Sequence, residues 1–248
     1  MDGVFIKYGE EDHLQQIVDG TLRFSPSDTY VKMEEEQHNK GQGDMLDGKW
    51  KIHAMNFRME DPVTGRVVFE GKNCTFTISI QDVNSMPVFC LSYYGEEYVS
   101  NLDGKQYIQL SKEKVAKIKK DFPKATHALI IQEPDRFIEK AEKADNHKIF
   151  SDKIHYYDFD INDLRMASFL STGDENTQLQ GGTVFSTTYE DRYRHLLCKD
   201  NDFKDQDEYR FIILDELIKE PKKYRFEFKS AYKIVPIDEL LTGVEVGL

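Results

Sequence analysis

A carboxylate and a guanidinium stand two residues apart in Gln206-Asp207-Glu208-Tyr209-Arg210-Phe211, with an amide two residues before them. The run passes into Ile212-Ile213-Leu214, whose β-branched and aromatic content reads as a buried strand. Alternate residues of a strand share a face, so Gln206, Glu208 and Arg210 are expected to project together at its polar start. A fixed carboxylate there can stabilise developing positive charge. A guanidinium can grip a carboxylate or phosphate with two parallel bonds. Lys199, in the polar stretch just before, adds a second cation. The plainer alternative is an ion pair between Glu208 and Arg210 on a sheet face, which contributes little where it is exposed.

Further candidates lie elsewhere in the chain. Lys7-Tyr8 closes an apolar start, and Arg23 sits in Gly20-Thr21-Leu22-Arg23-Phe24-Ser25; taken alone, Tyr8 and Arg23 read as ordinary edge residues. Glu34, Glu35, Glu36, Asp44 and Asp47 crowd a stretch with Gly41 and Gly43. Acids around glycines can hold Ca²⁺ or Mg²⁺, but the spacing departs from the calcium-loop pattern, so a solvated loop or lid is the expectation. His38 and His53 lack a second ligand at helical spacing, and no metal is expected. Cys74, Cys90 and Cys198 are odd in number, without metal or redox spacing, which predicts reduced thiols in a cytoplasmic protein. Cys90 reads as an inert core thiol. The chain contains no G-x-S-x-G, P-loop or dinucleotide fingerprint.

The elements that must position these residues are legible in outline. Strands are predicted over residues 4–8, 21–25, 50–57, 66–70, 75–80, 86–94, 125–132, 152–159, 181–186 and 224–228, with a turn at Asp61-Pro62 and Thr64-Gly65 making a hairpin. Residues 10–19 read as a short helix stopped by Gly20, and 134–144 as another. The clearest helix is 111–122, with Ser111 as N-cap, Val115, Ile118 and Phe122 as its apolar stripe and Pro123 beyond its end. A proline break at Pro236 and a short helix close the chain. With no internal repeat or low-complexity linker, residues 1–248 are expected to form one α+β domain. It would be a mostly antiparallel, strongly twisted sheet system with a few peripheral helices.

The 248 residues are 39% hydrophobic and 12% aromatic, enough for a sizeable core. A net charge of −12 argues against nonspecific binding to nucleic acid or to anionic membranes. No leader pattern and no membrane-length apolar run are present, so a soluble protein is expected. Lys112, Lys114, Lys117, Lys119 and Lys120 form the main basic patch, a solvated face or a surface for an acidic protein partner.

Together these landmarks resemble the bacterial and phage proteins grouped as domain-of-unknown-function family 2971. The matching segments are Phe5-Ile6-Lys7-Tyr8, Gly20 to Pro26, Val88-Phe89-Cys90-Leu91-Ser92, Lys153-Ile154-His155-Tyr156, and Lys199 followed by Gln206-Asp207-Glu208-Tyr209-Arg210. The family's usual Asn-Asp-Pro-Phe after the second strand is replaced by Thr29-Tyr30-Val31-Lys32-Met33-Glu34, and its Met-Trp-x-x-Tyr segment is missing. A more distant resemblance is to ADP-ribosyltransferases, through Lys7-Tyr8, Phe185-Ser186-Thr187-Thr188 and Gln206-Asp207-Glu208. It implies NAD as substrate, with Glu208 stabilising the oxocarbenium charge and holding the ribose and Gln206 orienting the acceptor. Tyr8 would stack on a ring, Ser186 and Thr187 would line the site, and Arg23 or Arg210 would meet phosphate.

Three functional classes follow. One is an NAD-using transferase or glycohydrolase acting as an effector in phage–host conflict. The second is a non-enzymatic factor that binds a host protein through the lysine helix. The third is a nucleotide-sensing or nucleotide-hydrolysing pocket lined by Lys7, Arg23, Lys199 and Arg210.

Overall fold

Val4, Phe5, Ile6 and Tyr8 are all buried, so the first strand has apolar neighbours on both faces. The computed structural model describes residues 2–37, 42–143, 146–177, 188–227 and 231–247. In chain order it contains β1 (Gly3–Gly9), α1 (Glu11–Val18), β2 (Thr21–Pro26), α2 (Asp28–Gln37), β3 (Lys49–Glu60), β4 (Val67–Ser79) and β5 (Pro87–Gly95). Next come β6 (Val99–Leu102), β7 (Lys105–Ile108), α3 (Lys112–Asp121), β8 (His127–Ile131), α4 (Pro134–Glu142), β9 (Ile149–Lys153), β10 (His155–Tyr157) and α5 (Leu164–Thr172). The chain closes with β11 (Cys198–Asp200), β12 (Glu208–Ile213), β13 (Lys222–Arg225), β14 (Tyr232–Pro236) and β15 (Val244–Val246). The fold is α+β, with mostly antiparallel sheets.

Among the described residues the main sheet has eight strands, ordered β13-β2-β5-β1-β8-β14, with β12 and then β9 on the other edge of β5. The β5 strand is the hub. Its Val88–Ser92 stretch pairs with β12 along one edge. On the other edge it pairs with β2 at Pro87 and Val88, and with β1 from Ser92 to Gly95. The sheet therefore forks beside Cys90, between the end of β2 and the departure of β1.

One sheet face carries Phe5, Phe89, Leu91, Tyr209, Phe211 and Ile213 against Leu14 and Ile17 of α1 and Phe137 and Ala141 of α4. The opposite face is divided between two apolar clusters. One joins Val4, Ile6, Tyr8 and Tyr94 to Val115 and Ile118 of α3. The other joins Val88 and Ile212 to Phe169 and Leu170 of α5 and to Leu196 and Leu197. Ser92, Cys90, Glu208 and Arg210 alternate onto this face, at the seam between the clusters.

The α3 helix follows its sequence signals. The Ser111 side chain accepts from the Lys114 backbone N–H at 3.1 Å, satisfying one of the free donors of the first turn. Ser111→Ala is expected to lower the unfolding free energy by about 1 kcal/mol, read as a lower urea midpoint at unchanged slope.

Residues 66–70 and 75–80 are parts of one strand, β4, which pairs with β3 from Lys49↔Ser79 to Glu60↔Val67. Residues 28–47 differ from the expected solvated loop. Asp28–Gln37 is helical, and Asp44 and Asp47 are buried. The strand expected over 181–186 lies outside the described residues. No helix among the described residues is long and apolar enough to cross a membrane.

Candidate functional site

At the seam, Arg210 and Glu208 project from the same face of β12 and pair directly, Nε to Oε1 at 2.6 Å. Arg210 is 1% exposed, and its Nη1 donates to Asp47 Oδ1 at 2.6 Å and to the Leu196 carbonyl at 2.7 Å. Lys199, on β11, donates through Nζ to Glu208 Oε2 at 2.6 Å and to Gln206 Oε1 at 3.1 Å. Both oxygens of Glu208 are thus held by cations. The Glu208 N–H donates to the Tyr156 hydroxyl at 3.0 Å, which ties β10 to the strand's first residue.

Asp47 reaches Arg210 because of how residues 42–48 fold onto α2. Gly43 lies flat against the helix, where a Cβ would sit 2.4 Å from the Glu34 backbone nitrogen, so only glycine fits. Glu34 Oε2 accepts from the Met45 N–H at 2.7 Å, and Asp44 Oδ1 accepts from the Leu46 N–H at 2.9 Å. Of the five acids expected in a solvated loop, Glu34 and Asp44 accept from backbone N–H groups and Asp47 neutralises a guanidinium. Among the described residues no group of three or more His, Cys, Asp or Glu is placed to hold a metal ion.

Lys7 occupies the fork. Its Nζ donates to the Cys90 carbonyl at 2.6 Å, where neither β1 nor β2 pairs with β5, and lies 5.0 Å from the Phe89 ring centre. Ser92 Oγ donates to the Gln206 carbonyl at 2.8 Å, and the Tyr30 hydroxyl lies 3.7 Å from Cys90 Sγ.

The electrostatics follow from burial set against pairing. Burial alone would raise the Glu208 carboxyl, but Arg210 and Lys199 outweigh it and hold the group below the usual carboxylate range. Burial opposes the charge on Arg210, yet Asp47 and Glu208 push its pKa further up. Burial, the largest influence, likewise opposes the Lys199 charge, and Glu208, Asp44 and Asp47 together more than offset it. Lys7, with no carboxylate bonded to it among the described residues, is lowered by burial. Asp44 rises to about 6, first through burial, with Lys199 opposing and Asp47 adding to the shift. Burial and then Glu208 push the Cys90 thiol up to about 11, so it is not a nucleophile at neutral pH.

The structure brings Lys7, Lys199, Gln206, Glu208 and Arg210 together, but not as alternate residues of one strand. Gln206 ends a 3₁₀ turn, and Asp207 at φ +46° kinks the chain, so β12 begins at Glu208. The Gln206 side chain joins the centre only through Lys199. Arg210, expected at an open mouth, is enclosed. Tyr8 donates to or accepts from Tyr94 at 2.7 Å and packs on Phe122. It borders a cavity of about 10 Å³ beside Ser92 and Gln206, room for about one water. Arg23 is exposed on β2 opposite Lys223 and does not join the centre. Ser186 and Thr187 lie outside the described residues. The lysine helix is partly turned inward: Lys114 pairs with Asp207 at 2.5 Å and Lys117 with Asp121 at 3.6 Å.

Tyr30 and Tyr156 were missing from the sequence-based candidates, although both lay within quoted segments. Asp47 was named only as one acid of a candidate cation loop, and nothing in the sequence marked it as the partner of Arg210. A larger cleft of about 720 Å³ lies elsewhere, lined by Asp2, Glu96, Glu133 and Asp135, acids that disfavour an anionic ligand. No protein-family model matches the chain, and neither does any curated protein or solved structure.

Proposed function

We propose that the chain consumes NAD in the manner of an ADP-ribosyltransferase or NAD glycohydrolase, with Glu208 as the catalytic carboxylate. The observation that carries this reading is the fixed, ionised Glu208 at the start of β12, with Gln206 on the same lysine. Breaking the nicotinamide–ribose bond sends the bonding pair to nicotinamide and leaves an oxocarbenium ion. A carboxylate held negative offers that ion preorganised charge. Water or an acceptor hydroxyl then bonds to the ribose carbon and releases a proton, giving ADP-ribose or its conjugate.

In this arrangement both Glu208 oxygens are occupied, so NAD is admitted when Lys199 leaves Oε2 and turns to the diphosphate. Arg210, bound to Asp47 and Leu196 as well, is a positioning residue for Glu208. The role in phage–host conflict rests on the sequence resemblance.

The test is nicotinamide release by purified wild type and by Glu208→Gln, at a temperature where melting shows both folded. The variant is expected to lose turnover by about 100-fold or more. Equal NAD consumption by the two removes Glu208 from the chemistry. No turnover in either, with lysates supplying acceptors, favours the non-enzymatic protein-binding reading.

A further inference from the structure

Each carbonyl of the turn that leads into β12 is held by a different partner. Lys114 Nζ donates to the Asp205 carbonyl, Ser92 Oγ to the Gln206 carbonyl at 2.8 Å, and the Tyr93 N–H to the Asp207 carbonyl at 2.7 Å. The turn has to be held, because Asp207 takes φ +46° and ψ +45°, a left-handed conformation that is strained for a residue with a Cβ. Of the three partners, Lys114 also pairs with the turn's own carboxylate, Nζ to Asp207 Oδ2 at 2.5 Å. The Tyr98 hydroxyl adds a long bond to the same oxygen at 3.5 Å. The Lys114 ammonium lies 5.3 Å and 5.7 Å from the ring centres of Tyr94 and Tyr98. Its side chain is 12% exposed, against 38% for Lys117 and 47% for Lys119, so it is set into the body rather than into the solvated face of α3.

The kink at Asp207 decides how two groups of the centre are aimed. In a continued strand Gln206 and Glu208 would stand side by side, about 7 Å apart. With the left-handed residue between them, Gln206 Oε1 and Glu208 Oε2 converge on one ammonium, 3.1 Å and 2.6 Å from Lys199 Nζ. Immediately beyond the kink, the Glu208 N–H donates to the Tyr156 hydroxyl and its carbonyl accepts from the Ile154 N–H at 2.9 Å. The direction in which the chain leaves Asp207 therefore fixes where the Glu208 carboxylate sits.

We propose that Lys114 is a positioning residue for Glu208: from α3 it holds Asp207 in the left-handed turn and so sets the angle at which Glu208 enters β12 and meets Lys199. This role rests on Glu208 being the catalytic carboxylate, and Lys114 itself touches no reacting atom. Misplacing a catalytic group by a fraction of an ångström weakens the transition state far more than substrate binding, so the effect falls on kcat and not on KM.

The experiment measures nicotinamide release, with kcat and KM separated, and residue-resolved amide hydrogen exchange. Lys114→Met keeps an unbranched stem and places a sulfur against the two tyrosine rings, which preserves the packing of α3. Its kcat is expected to fall about tenfold or more with KM within about twofold of wild type. Exchange should quicken at Tyr93 and Glu208 and stay unchanged at Phe211, in the middle of β12. Lys114→Arg keeps the charge and the ring contacts and should restore kcat to within about threefold. Glycine adopts the left-handed turn without help, so in an Asp207→Gly background Lys114→Met should cost less than about twofold. Should Lys114→Met fail to fold, Lys114→Gln carries the same comparison. An equal loss of kcat in both backgrounds, or faster exchange with kcat unchanged, overturns the positioning role while leaving Glu208 as the catalytic carboxylate. No nicotinamide release by the wild type overturns the catalytic reading of Glu208, and the role of Lys114 falls with it.

Discussion

Arg210→Met is expected to lower the unfolding free energy by about 3–5 kcal/mol, the range for breaking a buried ion pair from one side. Methionine fills the cavity about as well as arginine's stem, so the loss is electrostatic rather than a packing defect. It leaves Glu208 with Lys199 alone and strands Asp47, whose Oδ2 already has no hydrogen-bond partner among the described residues. The Leu196 carbonyl also loses a donor. Arg210→Lys keeps the charge but cannot reach Glu208, Asp47 and Leu196 at once, because an ammonium lacks the guanidinium fork; its loss should fall between wild type and methionine. Adding Asp47→Asn to Arg210→Met should recover part of the stability by removing the stranded charge. Guanidinium denaturation of the four proteins reads all of this. A loss under about 1 kcal/mol for Arg210→Met would mean that water reaches the centre and screens it, and that the network does not hold the seam together.

That network shows where sequence reasoning stops. The Glu208-x-Arg210 spacing was legible because strand alternation is local, and the two side chains do share a face. Lys199 was legible as a nearby cation. The Gln206 placement failed because Asp207 takes a left-handed conformation, one that aspartate tolerates better than most residues but that no pattern announces. Tyr8 and Lys7 were grouped as neighbours, yet adjacent strand residues project to opposite faces. The Lys7 side chain reaches the centre only by way of the fork in the sheet, which depends on where two other strands pair with β5. Asp47 lies 163 residues from Arg210, and its partner cannot be inferred from spacing. The α5 helix was absent from the sequence-based expectations although Asp163 caps its start and Gly173 its end. Its five buried residues, Met166 to Leu170, are consecutive, so no helical stripe separates it from a buried strand. The β3–β4 hairpin was readable from its turn residues, which act within a few positions.

Two buried groups near this network should make stability between about pH 4 and 6.5 a balance of opposing slopes. Asp44 titrates near 6 when folded, mainly through burial, against an ordinary value near 4. Its folded form holds the proton more tightly than the unfolded chain does. Its contribution is therefore complete below about pH 4 and is lost as pH rises through 6. His195 behaves in the opposite sense. It is 1% exposed, stacked on Trp50 at 4.6 Å, and neither ring nitrogen has a hydrogen-bond partner among the described residues, so burial lowers its pKa to about 4. Here the unfolded chain holds the proton more tightly, so its contribution is complete above about pH 6.5 and is lost as pH falls through 4. Each displacement corresponds to about 3 kcal/mol at full extent, and the two nearly cancel. The wild type should thus be almost flat across this window, with the acid limb governed by Glu208 appearing below about pH 4. Asp44→Asn keeps an acceptor for the Leu46 N–H and removes one slope, so its stability should fall by about 3 kcal/mol from pH 6.5 to 4. His195→Phe keeps an aromatic ring against Trp50 and removes the other, so its stability should rise over the same interval. Urea midpoints at four or five pH values distinguish these outcomes. Parallel profiles for wild type and both variants would mean that Asp44 and His195 are hydrated, and that residues 42–48 do not close over Lys199.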